Sequence, residues 1–191
     1  MLVPESGDAL IIVDVQNDFL PGGALAVPRG DEVIAPLNVC AAAFAAGHLP
    51  VFATRDWHPD RHCSFREQGG PWPPHCIAGT PGAEFPPGLR LPSGARVVSK
   101  ATRPETDAYS GFQGTELAGQ LRDAGVRRVV IGGLATDYCV RATALDALAA
   151  GFAVVVLADA VRAVEVQPGD GKRALAELSA RGAGIVSTRD P

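Results

Sequence analysis

Hydrophobic residues along the chain are concentrated in six short runs, each the length of a strand that is buried on both faces. The runs span 9–13, 49–53, 95–98, 126–131, 153–157 and 184–186. Continuous apolar runs of this length are typical of parallel sheets, because helices cover both faces of such a sheet. The pattern therefore predicts six strands.

Between most of these runs, apolar residues recur with helical spacing. The predicted helices cover 32–46, 114–124, 139–150 and 169–180, and a glycine lies shortly after each, as expected at a helix C-terminus. Strands that alternate with helices indicate a mostly parallel sheet. We predict a single-domain, three-layer α/β/α fold with a six-stranded, mostly parallel sheet.

One segment interrupts the alternation. Residues 57–93 are rich in Pro and Gly and show little periodicity, and loops of that length are usually functional or disordered. The 191 residues suffice for one sizeable core and are too few for two ordinary domains. We therefore expect residues 1–191 to form one domain that contains a long functional loop.

Composition narrows the class of partner. The net charge is −4 and Lys and Arg do not cluster, which argues against nucleic acid and anionic membranes as partners. No apolar run approaches the roughly 20 residues that span a bilayer, and no signal peptide pattern is present, so we expect a cytoplasmic protein. The four cysteines form no CxxC pair and are interpreted as reduced thiols. The expected partner is a small molecule.

Cys139 is the most informative residue for chemistry. It follows the predicted strand 126–131 and the polar stretch 132–138, and it opens the helical pattern 139–150. The free N–H groups at a helix N-terminus favour a thiolate and hence nucleophilic chemistry. The ordinary alternative is a buried cysteine that acts as a small hydrophobe.

Other polar residues follow the predicted strands. Because ligands bind beyond the carboxyl ends of parallel strands, these positions are candidate site residues. They are Asp14, Asp56, His58, Lys100 and Asp159. Each alone has an ordinary explanation as a turn cap or a solvated strand end. Together with Cys139 they would bring an acid, a base and a thiol to one edge of the sheet.

Three of these residues fit nucleophilic catalysis. A cysteine nucleophile requires a group that takes its proton, and Asp14 can serve as that base. Lys100 would keep Asp14 ionised and stabilise the thiolate of Cys139. The backbone N–H groups of Cys139 and of a preceding residue such as Ala135 could form an oxyanion hole.

A second set suits a divalent metal ion. Asp56 and His58 are two residues apart at a strand end, so their side chains point to the same side. His62 and His75 lie in the long loop, and together these residues include three of the four histidines of the chain. A mixed Asp/His set favours Zn, Fe or Mn over Mg or Ca, and the pattern does not choose among the three.

Two alternatives to this metal site are open. Asp56 and His62 could make loop hydrogen bonds while His75 is exposed. A structural zinc site could instead use the two His-Cys pairs at 62–63 and 75–76, but adjacent side chains in an extended backbone diverge and chelate poorly. Glycine-rich stretches at 132–135 and 169–173 lack the spacing of dinucleotide-binding and phosphate-binding loops, so we predict no nucleotide cofactor.

With these residues in view, the chain resembles the cysteine hydrolase superfamily that contains isochorismatases and nicotinamidases. The resemblance covers nearly the whole chain and rests on five groups of residues. They are 12–19 with 21–23, 55–59 with 62 and 64–65, 72–76 with 79–84, 100 with 109–112, and 133–140. Within the superfamily, the Asp-x-His pair with a downstream His is similar to nicotinamidases, whereas isochorismatases and carbamoylsarcosine-type amidases generally lack it.

The resemblance implies hydrolysis of nicotinamide, and of pyrazinamide, through a thioester. By that similarity Asp14 deprotonates Cys139, Lys100 stabilises the charged pair, and the N–H groups of Ala135 and Cys139 hold the oxyanion. Family members also have a cis peptide bond at the position of Leu134 and Ala135.

The resemblance further implies how the substrate is held. A metal on Asp56, His58 and His75 would bind the pyridine nitrogen, with His62 as a further or indirect ligand. The aromatic residues expected around the ring are Phe19 and Trp72, with Tyr109 or Tyr138 closing the pocket.

The chain departs from the family pattern at Ala101, where family members usually have Gly. Two other functions are open at this point: an amide or carbamoyl hydrolase with a different substrate, and a catalytically silent metal-sensing or redox-sensing domain. We also allow for a homo-oligomer.

Overall fold

The structure is a computed structural model that describes residues 3–188. Its strands are β1 (Asp8–Val13), β2 (Val51–Asp56), β3 (Arg96–Lys100), β4 (Arg128–Leu134), β5 (Ala153–Arg162) and β6 (Gly184–Val186). Its α-helices are α1 (Ile34–Ala46), α2 (Leu117–Asp123), α3 (Arg141–Ala149) and α4 (Asp170–Ala180). All six strands were predicted at these places, and each predicted helix contains an observed one.

The strands form one sheet in the order β3-β2-β1-β4-β5-β6, and every neighbouring pair is parallel. The chain winds outward through β2 and β3 on one side of β1 and through β5 and β6 on the other side of β4. The order therefore reverses between β1 and β4, and the crevice beyond their carboxyl ends is where such folds bind ligands.

The core lies on both faces of the sheet. Leu10 and Ile12 of β1 point to the face that is covered by α1, whose Phe44 is fully buried. Ile11 and Val13 point to the opposite face, which α2, α3 and α4 cover. Because all of β1 is buried, its sequence is continuously apolar. The predicted three-layer α/β/α architecture is confirmed.

The long loop is ordered against the α1 face. It contains two short 3₁₀ helices, Arg66–Gln68 and Pro81–Ala83. Single β-bridges join His58 to Ile77 and Phe65 to Trp72, so the loop folds back on itself beside the end of β2. No helix within residues 3–188 is long and apolar enough to cross a membrane.

Two boundaries differ from the sequence prediction. The helical pattern from 139 onward begins as a π-helical turn, Thr136–Val140, which precedes α3. Strand β5 continues through Asp159, which was predicted to end it, because the carboxylate of Asp159 accepts hydrogen bonds from the backbone N–H of Thr188 at 2.8 Å and from its hydroxyl at 2.5 Å. Asp159 therefore ties the chain after β6 to the sheet.

Candidate active site

The predicted catalytic residues meet beyond the carboxyl ends of the central strands. Asp14 follows β1, Asp56 and Lys100 end β2 and β3, and Cys139 lies in the π-helical turn after β4. Asp56 and Lys100 are register partners in neighbouring parallel strands. All four side chains are buried.

The ammonium group of Lys100 lies at the centre of this group. Its Nζ is 2.9 Å from Oδ2 of Asp14 and forms a very short hydrogen bond with Oδ1 of Asp56. It is also 3.2 Å from the Ala108 carbonyl oxygen and 3.7 Å from Sγ of Cys139. Burial alone would lower the pKa of Lys100, but the two carboxylates hold it well above its usual range. Lys100 is therefore a permanent positive charge in the site.

Asp14 is positioned by an unusual backbone turn. Its φ of 49° lies in the left-handed region, and the chain leaves the sheet at this residue. Oδ1 accepts a hydrogen bond of 2.7 Å from the hydroxyl of Thr54, a contact that the sequence pattern did not reveal. Burial raises the pKa of Asp14 and the charge of Lys100 opposes that effect. A carboxyl group with a raised pKa suits a proton acceptor.

Cys139 is within reach of that base. The ligand atoms of Asp14, Asp56 and Cys139 all lie within 4.8 Å of one another. Burial raises the pKa of the Cys139 thiol well above its usual value; Lys100 opposes this shift, and the two carboxylates add to it. The helix terminus predicts a favoured thiolate, but burial opposes that effect in the free site, so transfer of the proton to a neighbouring base would have to precede attack by the sulfur.

Asp56, His58 and His75 form the second cluster, and their ligand atoms lie within 4.8 Å of one another. Nδ1 of His58 donates to the Ala101 carbonyl oxygen at 3.2 Å, and Nδ1 of His75 donates to the Pro73 carbonyl oxygen at 2.8 Å. This pattern leaves Nε2 of each ring as an unprotonated nitrogen with a free lone pair.

The electrostatics of these histidines also suit metal binding. Burial lowers the pKa of His58 to about 3, with contributions from His75 and His62, and burial lowers that of His75 as well. Nε2 of His58 is buried, has no hydrogen-bond partner among the described residues, and lies 3.7 Å from Oδ2 of Asp56. Two neutral imidazoles held by backbone carbonyls and one carboxylate fit a divalent ion such as Zn, Fe or Mn.

His62 lies beside this cluster. Its ring stacks on His58 with 4.1 Å between ring centroids. Nε2 contacts the Thr106 carbonyl oxygen at 3.1 Å, and Nδ1 is 2.7 Å from the Ser64 hydroxyl. Both ring nitrogens thus have hydrogen-bond partners, and this geometry agrees with an indirect part in holding the metal. Within residues 3–188, no metal-binding group combines the two His-Cys pairs.

An apolar pocket of about 390 Å³, part of it open to solvent, leads to Cys139. The four predicted aromatic residues all line it: Phe19, Trp72, Tyr109 and Tyr138. The indole N–H of Trp72 donates to the Tyr109 hydroxyl at 3.0 Å. The rings of Trp72 and Tyr138 pack edge to face, with 5.2 Å between their centroids.

The same pocket brings the two clusters together. Asp56 and His75 of the Asp/His cluster line it, and so do Ala135 and Cys139. A small planar molecule in the pocket would therefore contact both the thiol and the Asp/His cluster. Three further lining residues were missed by sequence reasoning, because they are ordinary apolar residues in loops: Leu25, Val27 and Val164.

Two backbone features match the sequence expectations. The peptide bond between Leu134 and Ala135 is cis, and the Ala135 N–H has no acceptor within the part of the chain that the structure describes. Ala101 adopts a φ of 51°, a conformation that favours glycine, and its carbonyl oxygen still accepts the bond from His58. Ala101 therefore occupies a backbone conformation that glycine would adopt more readily.

A buried thiol, carboxylate and ammonium at the switch point of a parallel sheet, beside an apolar pocket, define a cysteine hydrolase of the α/β class. Comparison of the chain with known protein families identifies the family. The Isochorismatase domain model matches residues 8–190, and the chain belongs to the isochorismatase family.

Relatives within this family are similar over almost their full lengths. A nicotinamidase of Escherichia coli (strain K12) is 39% identical over 203 residues, covering 95% of each chain. A pyrazinamidase of Pyrococcus horikoshii, solved in complex with zinc, has 55% identity and a TM-score of 0.91, covering 95% of this chain and 99% of that one. PnC1 of L. infantum, solved in complex with nicotinate, has 39% identity and a TM-score of 0.88, covering 98% of this chain and 96% of that one.

Proposed function

We propose that this chain hydrolyses nicotinamide to nicotinate and ammonia through a thioester on Cys139, and that it also accepts pyrazinamide. The observation that carries the proposal is that one pocket, lined in part by aromatic rings, is bordered both by Cys139 and by Asp56 and His75. The relatives that are named nicotinamidase and pyrazinamidase support the same substrate class.

The proposed reaction begins with proton transfer from Sγ of Cys139 to Asp14. The sulfur then forms a bond to the carboxamide carbon, and the N–H groups of Ala135 and Cys139 donate to the resulting oxyanion. Lys100 keeps its proton throughout and balances the charge that moves between thiolate and carboxylate. Its position between Asp14 and Cys139 supports this electrostatic role.

The second half of the reaction uses the same base. Asp14 returns the proton to the amide nitrogen, the C–N bond breaks, and ammonia leaves a thioester on Cys139. A water molecule that gives one proton to Asp14 then adds to the thioester carbon, the C–S bond breaks, and the acid product passes its remaining proton to ammonia or solvent and leaves as nicotinate. The proton that Asp14 holds returns to the sulfur, so the site regains its starting state.

We assign the metal site to Asp56, His58 and His75, with His62 in an indirect role behind His58. A divalent ion bound there would supply a Lewis acid for the ring nitrogen of the substrate. Phe19 and Trp72 would contact the faces of the ring, and Tyr109 and Tyr138 would close the pocket over it. The donor set supports Zn, Fe or Mn equally well.

The test is ammonia release from nicotinamide by the purified protein, before and after metal removal, beside Cys139→Ala. The expected result is metal-dependent release that is restored by adding the ion back and is abolished in the variant. No release by the metal-loaded wild type would refute the nicotinamidase proposal. Release that persists after complete chelation would refute the substrate-binding role of the metal and leave the Asp/His cluster with a structural role.

A further inference from the structure

Gln16 is a fully buried polar residue that the proposed reaction does not use. Its side-chain amide donates to the backbone carbonyl oxygens of Asp56 at 2.8 Å and Ala83 at 2.9 Å. Its Oε1 accepts a hydrogen bond of 2.8 Å from the backbone N–H of Asp56. A single side chain therefore satisfies both backbone groups of Asp56.

This arrangement replaces a missing piece of the sheet. The ladder between β1 and β2 continues up to the Asp14 N–H, which donates to the Thr54 carbonyl oxygen at 3.2 Å. The backbone then turns away at Asp14, and the Gln16 N–H donates to the Asp14 carbonyl oxygen at 2.9 Å. The backbone of residue 16 cannot pair with Asp56, so the Gln16 amide takes the place of a strand partner.

Asp56 is the residue that most needs such support. Its carboxylate faces two groups at once, since Oδ1 accepts from Lys100 and Oδ2 lies 3.7 Å from Nε2 of His58. As the last residue of β2, it has no regular ladder beyond it on the β1 side. Because both the backbone N–H and the backbone C=O of Asp56 are hydrogen-bonded, the position of the Cα from which its side chain projects is fixed.

We propose that Gln16 is a positioning residue that holds Asp56 in the orientation in which it binds the divalent metal. The inference rests on the metal site in the proposed function. Gln16 would link the catalytic cluster to the metal cluster, because the segment that places the base Asp14 also places the metal ligand Asp56. The hydrogen bond that the Gln16 side chain donates to the Ala83 carbonyl oxygen extends the same support to the long loop that carries the other ligands.

The test compares Gln16→Met, which has a similar shape and no hydrogen-bonding groups, with a matched control. Asn38 is the control because its side-chain amide also both donates and accepts. It donates to the Gly88 carbonyl oxygen at 2.8 Å and accepts from the Arg90 N–H at 2.7 Å. None of those residues lines the pocket. Asn38→Leu therefore removes the same kind of hydrogen bonds at a more exposed place. Gln16→Asn, which keeps the amide on a side chain that is one methylene shorter, is the milder variant.

Two readouts are independent of turnover: the zinc dissociation constant by chelator competition, and the visible absorption spectrum of the cobalt(II)-substituted protein. Zinc binding by Gln16→Met is expected to weaken about 10- to 100-fold, the range for loss of a residue that supports a metal ligand. The cobalt spectrum is expected to change with it. Asn38→Leu is expected to match the wild type in both readouts, and Gln16→Asn to lie between wild type and Gln16→Met.

Wild-type zinc affinity and cobalt spectrum in either folded Gln16 variant would overturn the inference. An equal loss in Asn38→Leu would overturn it too, because the effect would then be general destabilisation. Failure of both Gln16 variants to fold, with Asn38→Leu folded, would show a role in the whole fold and not in the metal site. Absence of zinc binding by the wild type would refute the proposed metal site itself, a result distinct from the others.

Discussion

Replacing Lys100 by methionine tests the electrostatic balance of the site most simply. The substitution keeps the length of the buried side chain and removes its charge, and it leaves Asp14 and Asp56 together without a cation from the protein. At the observed separation of 2.9 Å from Asp14, one such pair attracts by about 6 kcal/mol at an effective dielectric constant of about 20. Desolvation of the ammonium offsets part of that attraction.

The expected net effect at pH 8 is a loss of about 3–5 kcal/mol in the free energy of unfolding of the metal-free protein, as when one partner of a buried ion pair is removed. The loss should depend on pH. Burial already raises the pKa of Asp14, and without the opposing charge of Lys100 that pKa rises further. A folded-state pKa above the unfolded value means that the folded variant binds more protons, so its stability falls as pH rises.

The assay is urea unfolding of wild type and Lys100→Met at pH 5 and pH 8. The other lysine of the chain, Lys172, is exposed, and Lys172→Met is expected to stay within about 0.5 kcal/mol of wild type. A Lys100→Met deficit that is larger at pH 8 than at pH 5 supports the reasoning. A deficit below about 1 kcal/mol that is equal at both pH values would refute it.

Two further predictions concern the fold around the site. The metal-free protein should lose stability as pH falls from 6.5 toward about 3, because His58 takes up a proton in the unfolded chain that the buried ring does not. In thermal melts, the stability of His58→Asn should depend less on pH than that of the wild type. Parallel pH profiles for the two proteins would contradict this. Gly133→Ala should cost about 3 kcal/mol or more by urea unfolding, since Gly133 has a φ of 124° and an added Cβ would lie 2.1 Å from the Val13 carbonyl oxygen. Gly119→Ala, in helix α2 with open space around it, should instead match or exceed wild-type stability, and equal losses in the two variants would argue against the steric explanation.

The strands and the proposed catalytic residues were predictable for one physical reason. A parallel sheet that is buried on both faces requires continuous apolar runs, and the polar residues directly after those runs must lie at its carboxyl edge. Asp14 and Lys100 were found in this way. Asp159 was misjudged by the same rule, because a strand tolerates a carboxylate whose oxygens bond to Thr188.

What could not be predicted depends on register and on distance. The hydroxyl of Thr54 reaches Asp14 because β1 and β2 pair with Val13 opposite Thr54. The short bond between Asp56 and Lys100 likewise requires the register of β2 and β3. The raised pKa of Cys139 arises mainly from burial, to which two carboxylates add, and the depth of that burial cannot be read from the sequence pattern of a helix terminus.

Rapid-quench mass spectrometry of the intact, metal-loaded protein mixed with nicotinamide would detect the proposed covalent thioester on Cys139. We expect a transient mass increase equal to one nicotinoyl group, located on the peptide that contains Cys139 and absent in Cys139→Ala. Asp14→Asn should suppress its formation, because the neutral thiol then lacks its base. Hydrolysis of nicotinamide by Cys139→Ala at the wild-type rate, or a nicotinoyl group on another residue, would refute the proposed thioester mechanism.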